Sequence, residues 1–113
     1  MAKKITIMRK RPYAAPEFIQ IENELEAFQH EVGGHIEPFR VMQDLVILCN
    51  EEGKLQGLDY NCKLFGELFV GTLLFVGVRG ENFTNVPMDE KRAKRIFPTL
   101  WSGIPEKIGG DPE

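Results

Sequence analysis

A chain of 113 residues, 42% hydrophobic and 27% charged, has the size and composition of one globular domain, with no room for a second. Its net charge of −3 is too weak for an all-over acidic mimic of nucleic acid and of the wrong sign for a general nucleic-acid binder. The longest apolar run, Leu68 to Val78, is too short to cross a bilayer, so no membrane partner is expected.

Residues Lys4 to Arg9 alternate, placing Ile5 and Ile7 on one face and Thr6 and Met8 on the other. Glu17 to Ile21 repeats the pattern, and the two prolines of Arg11-Pro12-Tyr13-Ala14-Ala15-Pro16 mark a loop between them. The spacing predicts a β-hairpin. A helix follows, with Asn23 as its cap, Glu26 at the capping-box position and Gly33 as its left-handed stop. Leu25, Phe28 and Val32 form a narrow stripe for packing on a sheet, and Glu24, Glu26, His30 and Glu31 face away.

Two further strands are predicted over Ile36 to Val41 and Leu45 to Asn50. Pro38 removes a ladder donor, which marks the former as an edge strand or one broken by a bulge. The latter ends in the turn Glu51-Glu52-Gly53, where glycine is free to take positive φ. Leu55 to Gly66 shows no clean period. Phe69 to Val76 is apolar on both faces and reads as a central strand, with Gly71 and Gly77 marking bends or close backbone approaches. A second helix starts near Pro87 or Met88 and stops by Phe97, before Pro98, with Ala93, Ile96 and Phe97 on its inner side. The expected architecture is α+β: a mostly antiparallel four- to five-stranded sheet, one helix packed on a face and a second helix near the C-terminus. Residues 1–101 form the domain, and 102–113, rich in Gly, Pro and charge, form a loose tail.

No catalytic constellation stands out. His30 and His35, the only imidazoles, belong to no recognisable motif, and the adjacent Glu51 and Glu52 would point apart on a strand end. The protein is therefore expected to be no enzyme and to need no cofactor. Cys49 and Cys62 form no CxxC pair and have no ligand-spaced histidine, so no metal site is expected. No apolar signal segment follows the charged first residues, which favours a cytoplasmic setting with free thiols. Lys91, Arg92, Lys94 and Arg95 share a helix arc able to meet phosphates, although Asp89 and Glu90 in the first turn suit a solvated face equally. Lys3, Lys4, Arg9, Lys10 and Arg11 could extend that patch if the two ends of the chain meet. Tyr13, Phe83, Leu100 and Trp101 fall in or beside loops and near helix ends, as packing residues or as an interface for a partner or a second copy.

The stretch Cys49-Asn50-Glu51-Glu52-Gly53-Lys54-Leu55-Gln56-Gly57-Leu58, then Asn61, then Gly71-Thr72-Leu73-Leu74-Phe75-Val76-Gly77, resembles domain-of-unknown-function family 3846. With the Gly33 to Glu37 junction and the preceding helix, the similarity covers about Ile5 to Phe97, and from Arg79 onward, the basic helix included, it matches poorly. The resemblance implies a context, that of small accessory proteins of phages and mobile elements, which often act by binding. If the family shares a site, Asn50, Glu51, Glu52 and Gly53 with Asn61 are the candidates, their side chains and turn amides bonding a polar ligand. The alternative is that Asn50 and Asn61 cap turns. Two functions follow as expectations: an accessory protein that binds a host or defence protein, or its own copies as a homodimer; or an anti-defence protein that sequesters a nucleotide or other phosphate-bearing ligand.

Overall fold

The computed structural model describes residues 3–102; the tail expected from Ser102 onward therefore lies almost wholly outside the described residues. The first two strands, β1 (Lys4–Lys10) and β2 (Glu17–Glu22), pair antiparallel without a break from Lys4↔Glu22 to Arg9↔Glu17. Helix α1 (Leu25–Val32) follows, and Gly33 ends it at φ 81° as expected. Its beginning differs from expectation. The N-cap is Glu24, which makes no side-chain cap, while the Asn23 amide donates to the Phe83 carbonyl at 2.8 Å. A carbonyl arriving from sixty positions away outcompetes the local helix end for that donor, and the capping box with Glu26 does not form.

The apolar stripe of α1 is also shorter than predicted. Phe28 and Val32 are buried, but Leu25 remains 56% exposed, because an eight-residue helix lays only its later residues on the sheet. Glu31, expected to face solvent, turns inward to Arg9 at 2.8 Å.

Strands β3 (Ile36–Met42) and β4 (Leu45–Asn50) form the second hairpin. Pro38 lies on an edge, as its missing donor requires, and the register shifts between Arg40 and Met42. The following turn continues through Gly57, and it is Gly57, at φ 71°, that takes the positive dihedral expected at Gly53. Gly53 is needed for space instead: a Cβ there would lie 3.0 Å from the Val70 side chain.

The region without a clean period holds an arm, the hairpin β5 (Tyr60–Leu64) and β6 (Glu67–Val70), which forms a separate two-stranded sheet. The apolar run predicted as one central strand is cut at Gly71, whose φ is 74° and whose Cβ would sit 2.8 Å from Leu58. Its first residues belong to the arm. The remainder is β7 (Leu73–Arg79), which pairs with β1 and β4 and then with β8 (Asn82–Thr84). Helix α2 (Glu90–Ile96) begins at Asp89, whose carboxylate accepts the Arg92 amide at 2.9 Å, and a 3-10 turn follows over Pro98–Leu100.

The main sheet has six strands in the order β2-β1-β7-β4-β3, with β8 beside β7. Together with α1 on a face and α2 near the C-terminus, this is the α+β fold read from the sequence. Each face has its own core. Ile5, Ile7, Val46, Leu48, Leu74 and Val76 meet Phe28 and Val32 of α1. Met8, Leu45, Ile47, Leu73 and Phe75 meet Cys62, Leu64 and Phe69 of the arm and Ala93, Phe97 and Leu100 of the C-terminal segment. The sheet is the middle of three layers, and β7, apolar on both faces, is its centre.

Candidate functional site

The arm stands out from the rest of the surface. Among the described residues six large apolar side chains are exposed, and four of them, Leu55, Tyr60, Phe65 and Leu68, lie in or beside it. The reason is the alternation of a strand: Cys62 and Leu64 point to the core, leaving Lys63 and Phe65 outside. Phe65 and Gly66 form the two-residue tip, both at positive φ, 53° and 78°. A turn of that kind favours Asn-Gly or Gly-Gly; an aromatic residue held there costs about 1 kcal/mol. The Phe65 ring meets Phe97 edge-on at 6.2 Å yet stays 65% exposed.

Beneath the arm runs a cleft of about 290 Å³. Phe39, Leu68, Phe69 and Val70 supply apolar walls, with Phe39 and Phe69 edge-to-face at 5.3 Å. Glu37, Glu51 and Glu67 supply negative charge, and the one cation lining it, Lys54, reaches Glu67 at 3.4 Å. Cys49 lies on the wall, and burial, with the charges of Glu37 and then Glu67 adding to it, pushes its thiol up to about 11. Burial likewise holds Cys62 at about 11. At neutral pH both thiols are almost wholly protonated and poor nucleophiles.

Of the residues proposed for a polar ligand, Asn50 and Glu51 line this cleft, but the Asn50 amide is engaged inside the protein. It donates to the Val32 carbonyl at 3.2 Å and to Gln56 at 3.4 Å, and accepts from the Glu52 amide at 2.8 Å. Asn61 takes no part in that network. Its Nδ2 donates at 2.7 Å to both the Lys10 and Gly71 carbonyls, tying the end of β1 to the bend before β7. Gly53 is buried, and Glu52 is exposed at the turn. The structure thus assigns both asparagines a turn-holding part and does not gather the five residues around one ligand.

The basic helix keeps Lys91, Arg92 and Arg95 exposed and, among the described residues, without an ion pair. Lys94 is held by Glu90 at 2.9 Å and lies 5.8 Å from the Trp101 ring centre. Arg9 and Arg11 do not enlarge this patch. Both are tied to Glu17, and Arg9 also to Glu31 of α1, across the sheet from α2. Of the aromatic and apolar interface candidates, Leu100 is fully buried and Phe83 packs edge-on against Phe28 at 5.5 Å. Trp101 is half-buried against the core, and Tyr13 alone is open to solvent. Among the described residues no group of three or more His, Cys, Asp and Glu is placed to hold a metal, and no helix is long and apolar enough to cross a membrane.

Among the described residues Lys10 is the one buried lysine, 2% exposed, its ammonium donating to the Arg11 carbonyl at 3.0 Å. Burial lowers its pKa, with Cys62 opposing. The unfolded chain therefore binds the proton more tightly, so the cost to stability is fully present below the folded pKa and fades as pH rises toward 10.5. Lys10→Met is expected to raise stability at pH 7 by about 1 kcal/mol. Urea melts at pH 7 and pH 10.5 check this; a gain equal at both would mean that charge burial is not its source.

The sequence profile of the family described as Domain of unknown function (DUF3846) matches residues 5–97, from β1 to the end of α2. The chain belongs to this family. The matched segment includes both faces of the sheet, the arm and the cleft, as well as the Asn50 turn and Asn61. No curated protein and no solved structure is detectably similar to the chain.

The arm escaped the sequence reading, although one signal was present. Phe65-Gly66, flanked by Cys62-Lys63-Leu64 and Leu68-Phe69, has the spacing of a two-residue hairpin.

Proposed function

We propose that this protein is a non-enzymatic binding protein and that the β5–β6 arm is its contact surface for a partner protein. One observation carries the reading: exposed apolar side chains concentrate on the arm, with an aromatic residue held in a costly backbone conformation at its tip. The edge-on contact with Phe97 engages only part of the Phe65 ring, which stays 65% exposed, and aromatic anchors of this kind dominate protein interfaces. In line with the family resemblance, the partner would be a host or defence protein, with a second copy of the chain as the other occupant.

Phe65→Asn separates folding from binding. Asn-Gly is a preferred pair for this turn, so relief of the strained backbone is expected to offset the lost contact with Phe97 and leave the variant at least as stable as the wild type. Partner capture, or self-association by sedimentation velocity, should fall at least about tenfold, as for loss of an interface anchor. A variant that is at least as stable and binds equally well would overturn the reading.

A second reading rests on the exposed cations Lys91, Arg92 and Arg95, which have no ion pair among the described residues: sequestration of a nucleotide or other phosphate-bearing ligand. Arg92→Glu with Arg95→Glu should abolish retention of such a ligand in native mass spectrometry and leave capture through the arm intact.

A further inference from the structure

The cleft under the arm has a shape and charge that narrow what can enter it. At about 290 Å³ it holds one or two side chains and cannot accept a helix, whose diameter is about 10 Å. All four residues of β6 line it, and β6 pairs only with β5, so one edge of that strand is without a ladder partner. The opposite wall comes from β3, where Pro38 removes a donor. A backbone adding to this site therefore joins β6, as an extended strand. Its side chains alternate, one set toward Phe39 and Phe69, the other toward the rim.

Charge decides what the rim set must be. Lys54 is engaged by Glu67, and among the described residues Glu37 and Glu51 at the mouth have no ion-pair partner. A carboxylate or phosphate there meets repulsion; a guanidinium or ammonium meets two acceptors. We infer that the cleft binds an extended segment of a partner protein in which cationic side chains alternate with apolar ones. This rests on the reading of the arm as a contact surface and adds the chemistry of what the arm closes over.

The test uses an acetylated, amidated pentapeptide in which leucine and arginine alternate, and a matched peptide with citrulline in place of arginine. Citrulline keeps the shape and removes the charge. Binding is followed by amide shifts in ¹⁵N-labelled protein. The arginine peptide should perturb Glu67 to Val70 together with Glu37 and Phe39, and bind at least about fivefold more tightly than the citrulline peptide. Glu37→Gln with Glu51→Gln, both exposed positions, should erase that preference while leaving the citrulline affinity unchanged. Equal affinity for the two peptides, no binding of either, or shifts centred elsewhere would each overturn the inference. The two proposals fail separately: a protein partner lost in Phe65→Asn but retained in the double glutamine variant would leave the arm as an interface and remove the cationic segment.

Discussion

Asn61→Ala is expected to destabilise the protein by about 3 kcal/mol, because one amide group serves two buried carbonyls. Asn61 is 8% exposed, and both its hydrogen bonds, to Lys10 and Gly71, are 2.7 Å long. Removing the donor leaves two main-chain acceptors without a partner in a place water reaches poorly, and each costs about 1–3 kcal/mol. The Oδ1 atom of Asn61 is buried and has no partner among the described residues, so only the donor half of the amide contributes. For a domain of this size the loss corresponds to a fall in Tm of about 12 °C. The measurement is a thermal melt followed by circular dichroism. A shift of only a degree or two would mean that these bonds are not needed for folding, and would return Asn61 to consideration as a ligand group.

Gly77→Ala should cost at least as much, for a steric reason. Gly77 lies in β7 opposite Thr84, and a Cβ there would be driven into the Asn85 carbonyl, a main-chain atom with no rotamer to escape by. Asn85 is itself fixed: its side chain accepts the Thr6 amide at 2.8 Å, and Val86 donates to the Thr6 carbonyl at 2.8 Å. The extra methyl must therefore separate β8 from β7 or pull Asn85 off β1. We expect about 3 kcal/mol or more of destabilisation. Hydrogen exchange should show loss of protection at Val78, Val86 and Thr6 before the rest of the sheet opens. An alanine variant that melts like the wild type would show that β8 does not pack as closely as described.

Both sites bear on what was legible in the sequence. Gly71 and Gly77 stood out as glycines inside an apolar run, where a side chain would normally be expected, and both roles read from them are realised, one as a bend and one as a close approach. The N-terminal hairpin, the stop of α1 at Gly33 and the edge position of Pro38 were legible for a similar reason: each is dictated by a residue's own backbone or by a strict period. What was hidden depends on distant partners. Asn23 looked like a cap and instead serves a carbonyl of β8. Phe83 and Leu100 looked available for contact and are packed against residues far away in sequence. The arm was hidden because its turn uses a phenylalanine where Asn or Gly would announce it, and because its apolar residues run directly into those of β7. The cleft joins β3, β4 and β6, and no local pattern reports such an encounter.

The position of β7 sets the order in which this chain can become a protein. The two early hairpins, β1–β2 and β3–β4, do not touch each other in the sheet; within it each is joined to the other only through β7, whose partners in β1 lie more than sixty residues upstream. During synthesis both hairpins must wait, each with an apolar face open, until residue 79 has left the ribosome. Collapse then has to close long loops before it gains contacts, which makes folding slow for a chain of this length. A nascent chain arrested before Leu73 should remain sensitive to protease along its whole length, and protection should arrive in one step as β7 emerges.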